Sequence, residues 1–196
     1  LKLINFNNPD MKNYINILII VFLIFSCKSN KNNYLDFEKV KSDFLYQEEI
    51  NCYNTDSIKN FLPLVASNKV KPILNEKFKS IFQGKIKEVD TLVTEHTYYP
   101  YNIQNSKNNI RITLFNTDDN WVNQITMLTY DKRGNLKNDY VLARFGGDQE
   151  LFVESEGCFY NDSIYEITNS SFEYDIILKK NKLKARQNRV INLKNN

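Results

Sequence analysis

Gln124-Ile125-Thr126-Met127-Leu128-Thr129-Tyr130, then Asp131-Lys132-Arg133-Gly134, then Leu136 to Ala143 read in succession as strand, turn and strand. Asp is a residue that opens turns by accepting backbone N–H groups, and Gly tolerates positive φ. Asp131 and Gly134 at this spacing favour a type I turn closed by a bulge, hence a tight antiparallel hairpin. A period of two recurs on both sides. Ile110, Ile112 and Leu114 alternate with Arg111 and Thr113, and Phe172, Tyr174, Ile176 and Leu178 alternate with Ser171, Glu173, Asp175 and Ile177. Gly146-Gly147-Asp148 and Tyr160-Asn161-Asp162-Ser163 supply further turns. From about Thr91 onward, short strands separated by turns predict an antiparallel meander.

Ahead of Thr91 the period is helical. Phe37, Val40 and Phe44, with Leu45 beside them, recur at helical spacing within Tyr34–Ile50. A second pattern, Ile58, Phe61 and Leu62, starts near Asp56 as a cap and meets Pro63, which should interrupt it. A third runs from Pro72 through Leu74, Phe78, Ile81 and Phe82 and stops at Gly84. The expected fold class is therefore α+β, an antiparallel β-sheet meander with short N-terminal helices packed on it. The 196 residues, 42% hydrophobic and 13% aromatic, suit one domain with a real core. Only 5 Gly exclude a glycine-rich nucleotide-binding loop or a fibrous repeat.

Met11-Lys12-Asn13-Tyr14 precedes an apolar run, Ile15 to Phe25, broken only by Asn16. The run is too short for the roughly 20 residues that span a bilayer. A basic start, a short apolar stretch and a small residue before a cut describe a secretory signal peptide; the alternative is a buried core helix. Ile24-Phe25-Ser26-Cys27 resembles the lipobox of bacterial lipoproteins: aliphatic at −3, small at −1, Cys at +1. The resemblance covers residues 11–27 and implies that Cys27 becomes the diacylglyceryl-modified N-terminus, anchored by several alkyl chains. It divides the chain into an upstream extension and signal peptide (1–26), a lipidated tether (27–35) and one domain (36–194). No Asp follows Cys27 at +2, and no acidic cluster follows in Lys28-Ser29-Asn30-Lys31-Asn32-Asn33. An outer-membrane lipoprotein of the cell envelope, facing the periplasm, is the implied address. In that oxidising compartment Cys52 and Cys158 read either as one disulfide or as two unrelated buried thiols.

Motifs for catalysis are sparse. His96 is the single histidine, so paired-histidine zinc motifs are excluded, and no nucleophile elbow accompanies it. Carboxylate pairs such as Asp118–Asp119 and Glu154/Glu156 could serve a hydrolase using Asp118, Asp119 or Glu154, but the first two sit in Asn116-Thr117-Asp118-Asp119-Asn120, a turn composition. Neither metal nor other cofactor is expected. Tyr98, Tyr99 and Tyr101, flanking Pro100, together with Trp121, are the candidate ligand-binding aromatics, because planar rings stack on sugar faces and phenols bond to sugar or peptide groups. Packing within the sheet is the competing role.

Residues 179–196 hold seven basic side chains and no acid. From Cys27 onward the chain has 24 basic and 22 acidic residues; without this stretch the balance is 17 against 22. The stretch reads either as a patch for anionic head groups, lipopolysaccharide or an acidic partner, or as a last edge strand, Leu183 to Leu193, guarded by lysines. An exported protein rarely meets nucleic acid. The expected function is a non-catalytic binding or scaffolding role at the envelope, the alternatives being a glycan- or protein-recognising module of inhibitor or immunity type and a hydrolase. Mass spectrometry of the mature N-terminus should find an acylated Cys27, and Cys27→Ser should release the chain from membranes washed in high salt; full retention of that variant after the wash would refute the lipobox.

Overall fold

The computed structural model describes residues 35–74, 80–83, 97–107, 109–117, 121–148, 151–175 and 177–193; Cys27 and every other residue before Leu35 lie outside them, and Leu35, the last residue of the expected tether, is buried. Residues 33–196 form one unit. Two helices, α1 (Phe37–Lys41) and α2 (Thr55–Ala66), accompany eight strands: β1 (Cys52–Tyr53), β2 (Tyr98–Asn105), β3 (Ile110–Thr117), β4 (Val122–Tyr130), β5 (Leu136–Gly147), β6 (Phe152–Asn161), β7 (Ile164–Asp175) and β8 (Lys180–Asn192). The fold is a sheet of these eight strands with a few short helices. The order is β2-β3-β4-β5-β6-β7-β8, each antiparallel to the next, with β1 pairing on β6.

The β4–β5 hairpin closes as its sequence requires. Asp131 Oδ1 accepts the N–H groups of Arg133 and Asn135, both at 2.9 Å, and Gly134 N–H donates to Asp131 O at 3.0 Å. Gly134 has φ 82°, and a Cβ there would meet Leu35 O at 2.7 Å, so only glycine fits. Its carbonyl accepts from Leu35 N–H and from the Gln83 amide, whose own carbonyl takes Leu136 N–H at 2.9 Å. The turn is thus clamped to the N-terminal segments.

Helical spacing overstated the first helix. It ends at Lys41, and Tyr46 instead exchanges backbone hydrogen bonds with Tyr101 and Ile103, so the open edge of β2 claims the chain. For α2, Asn54 rather than Asp56 is the cap: its side chain accepts Ser57 N–H at 2.9 Å while Ser57 Oγ accepts Asn54 N–H at 3.2 Å. Pro63 does not stop α2. It removes one intrahelical bond, but Leu62, Leu64 and Val65 pack on the core and hold the last turn. Residues 80–82 are helical; Phe78 and Gly84 of the third pattern lie outside the described residues, as do residues 91–96.

Polar and apolar residues alternate along β3, and both of its faces are buried. Ile112 and Leu114 pack with Val40, Phe44, Ile81 and Phe82 on one side; Phe115, Ile125 and Met127 pack with Ile58 and Phe61 of α2 on the other. Arg111, 1% exposed, lies on this second side with its guanidinium 4.4 Å from the Phe159 ring and Nη2 donating to Asp162 O at 2.6 Å. Thr113 Oγ1 donates to Asn102 O at 3.3 Å. In the last hairpin, β7 ends at Asp175, two residues short of Ile177, because Asp175 Oδ1 turns to accept the N–H groups of Ile177 and Leu178, each at 2.9 Å. β8 is the edge strand at the end of the order.

Cys52 and Cys158 are directly opposite in the β1–β6 register and are disulfide-bonded, with Cα atoms 4.1 Å apart. A link of 106-residue separation restricts the unfolded chain by roughly 4–5 kcal/mol in the chain-entropy account.

Partial burial raises the Asp131 carboxyl, but hydrogen bonds from Asn135, Lys137 and Arg133 outweigh it and hold its pKa at about 2. A folded-state value below the ordinary 3.8 contributes stability above that pH and loses it as pH falls through about 2. Acid unfolding followed by circular dichroism should therefore show wild-type stability dropping between about pH 4 and 2. In Asp131→Asn, which keeps an acceptor for both N–H groups, that part of the decline should be absent.

Candidate functional site: a polar row across the sheet

Residues directly opposite one another in a sheet share a face. The registers chain seven side chains into one row: Tyr98–Asn116–Gln124–Arg144–Ser155–Asn169–Gln187, one from each of β2 to β8. Each member can hydrogen-bond through its side chain. With strands about 4.8 Å apart, the row extends over roughly 29 Å. It borders the apolar cluster built on Ile112, Leu114 and Leu128.

The second half of the row opens into a crevice. β5 pairs with β6 only over Arg144–Gly147 and Phe152–Ser155; before Arg144 it stays with β4, while β6 beyond Ser155 takes β1 on its flank. A bulge between Val141 and Ala143 places the extra residue, Leu142, wholly in the core and bends β5 at the parting. The gap of about 610 Å³ is lined by Tyr140, Arg144, Ser155, Asn169, Gln187 and Arg189 among others. Ser155 Oγ donates to Asn169 Oδ1 at 2.8 Å, orienting that amide. Arg144 and Arg189 are exposed cations on opposite sides of the gap, on β5 and β8. Burial, and secondarily the Asp139 carboxylate, push the Tyr98 phenol above its ordinary pKa. Asn116 Oδ1 is buried without a hydrogen-bond partner among the described residues.

The four aromatics read from the sequence are not gathered on one surface. Tyr98 belongs to the row and packs on Phe82, ring centroids 5.2 Å apart. Tyr99 lies across the sheet against Phe115, and Tyr101, the extra residue of a bulge, is core: its ring is 4.8 Å from Phe61 and 5.2 Å from Tyr46. Burial raises the Tyr101 phenol to about 12. Trp121 precedes β4 at φ 60°, 75% exposed and off the row. Glu154 and Glu156 sit on β6, half-buried and exposed, on the opposite face from Ser155; His96, Asp118 and Asp119 lie outside the described residues. Among the described residues no cluster of His, Cys, Asp or Glu could hold a metal, and no helix is long and apolar enough to cross a membrane.

Guanidinium, amide, hydroxyl and phenol groups spaced by one strand separation can engage successive oxygens of an extended polar ligand. They supply no paired nucleophile and base. The Asp131–Gly134 turn, legible in the sequence, brings β4 beside β5, but two register shifts between that turn and Gln124 decide that Gln124 faces Arg144. In comparisons with known proteins, no family matches this chain, nor does any curated protein or any solved structure.

Replacing a buried acceptor that lacks a partner by an apolar side chain of similar shape is neutral or favourable. Asn116→Leu should thus leave the thermal midpoint unchanged or raise it by about 2–4 °C per kcal/mol gained. A calorimetric fall of several degrees would show that Oδ1 is satisfied in the native protein.

Proposed function

We propose that this chain is a lipid-anchored protein of the cell envelope, held in the outer membrane through acylated Cys27, whose sheet binds an envelope glycan without transforming it. The observation that supports the ligand class is the polar row, with four consecutive members lining the crevice: Arg144 and Gln187 exposed, Asn169 half-buried and Ser155 buried beneath them. A glycan presents hydroxyls at regular spacing along an extended chain, which suits a row of amides and hydroxyls at strand spacing; its carboxyl groups suit Arg144 and Arg189 bidentately. Tyr140 offers the one ring of this wall for a sugar face.

Calorimetric titration of the full chain carrying Cys27→Ser with soluble peptidoglycan fragments, and separately with carboxylated envelope polysaccharide, tests the reading. Saturable binding is expected to at least one of them. Arg144→Ala should weaken it about tenfold, equivalent to ~1.4 kcal/mol, and Gln187→Ala should weaken it less. Absence of binding to both, or binding indifferent to both substitutions, would refute it.

A further inference from the structure

The end of the sheet opposite the Asp131–Gly134 turn has a different chemistry from the row. The β3–β4, β5–β6 and β7–β8 connections all fall there, because the strands run antiparallel. The register line Val122–Gly146–Val153–Ser171–Ala185 crosses five strands near their ends. One residue further, Gly147, Phe152, Phe172 and Leu183 close that pairing; beyond it the β7–β8 ladder continues alone to Asp175↔Lys180, three residues of β7 further, so the hairpin projects about 10 Å past its neighbours.

The projection is apolar at its tip and cationic behind it. Ile177 is 92% exposed and Leu178 58%, with Tyr174 and Leu183 also exposed on the flanking strands. Both tip residues are fixed outward by a turn in which Asp175 Oδ1 holds their N–H groups. That geometry also turns the Asp175 carboxylate inward to the backbone. Glu173, the other acid of this hairpin, lies 3.8 Å from Lys184. Lys179, Lys180 and Lys182 have no carboxylate partner among the described residues. At the base, the Phe145, Phe152 and Phe172 rings form a stripe with centroids 5.2 and 6.2 Å apart, which braces the hairpin against the sheet. Trp121 and Leu151 are exposed at this same end.

An isolated exposed apolar side chain is ordinary; two at the apex of a rigid hairpin, ringed by unpaired lysines, are not. A protein groove would bury the apolar tip, but three lysines around it would each need an acid placed in the partner. An anionic bilayer satisfies both demands at once, taking aliphatic side chains below the head groups and ammonium groups at the phosphate level. We infer that the β7–β8 hairpin is a lipid-docking element that inserts Ile177 and Leu178 into an anionic membrane surface while Lys179, Lys180 and Lys182 contact its head groups. This contact is separate from acylation of Cys27 and from the polar row.

The test places the reporter in the tip. In the full chain carrying Cys27→Ser, Trp121→Phe and Leu178→Trp, the single tryptophan should shift its emission to the blue on mixing with vesicles of equal parts phosphatidylglycerol and phosphatidylcholine. Brominated acyl chains should quench it. The shift should fall at least tenfold in apparent affinity with phosphatidylcholine alone, in high salt, or when Lys180→Glu and Lys182→Glu are added, with circular dichroism unchanged. An unmoved emission maximum with the anionic vesicles would overturn the proposal and make the tip a protein-docking surface; so would a shift indifferent to the lysine changes. Because the reporter reads residue 178 alone, loss of the lipid anchor or of glycan binding leaves its outcome interpretable.

Discussion

Where the backbone ladder between β5 and β6 gives out, a side chain takes over. The Tyr165 hydroxyl donates to the Leu142 carbonyl at 3.0 Å, joining β7 directly to β5 across the parting in the sheet. Leu142 is the bulged residue, so its carbonyl is among the groups that regular pairing leaves over. Tyr165 reaches it because β6 has Gly157 in between: a Cβ there would meet the Tyr165 ring at 2.7 Å. Bulge, glycine and phenol form one device, and the crevice depends on it. A straight β5 fully paired to β6 would leave no gap along the polar row.

The second tie between the halves is Arg111. Removing a guanidinium from water is expensive unless its donors are met. Burial lowers its affinity for the proton, while Asp162, Tyr53 and Glu49 oppose that effect, and the group keeps its charge. The Asp162 carbonyl and the Phe159 ring face it from the β6–β7 hairpin. Nε has no hydrogen-bond partner among the described residues, so the satisfaction is incomplete. The consequence is positional. A charge on β3 that finds its acceptors only at the β6–β7 turn fixes where that turn lies, more than it adds net stability.

What was legible in the sequence was local. Asp131 and Gly134 announce their turn because side-chain acceptance and positive φ are properties of single residues. The polar–apolar alternation of β3 was legible as strand, but the burial of Arg111 and Thr113 was not, since they are covered by segments more than forty residues away. Tyr46 was helical by spacing and became an edge bridge because the backbone groups of β2 were open, a fact about pairing rather than propensity. The row of seven is least legible of all. Its members are spread from residue 98 to residue 187, and only the registers of six hairpins align them. The adjacent tyrosines make no such row: alternation sends Tyr99 and Tyr101 to one cluster of the core and Tyr98 to the other.

The two ends of the sheet divide the work. At the near end, hairpin turns are held by long-range bonds: Gly134 by Leu35 and Gln83, Asp162 by Arg111. Such turns cannot move without breaking contacts distant in sequence. At the far end the β7–β8 hairpin is held by bonds within itself and by ring contacts at its base. A protruding element that is ordered locally keeps its shape on its own and exposes its tip at little cost to the rest. Long-range bonds thus brace the turns at the near end, and the open surfaces lie in the parting and beyond it.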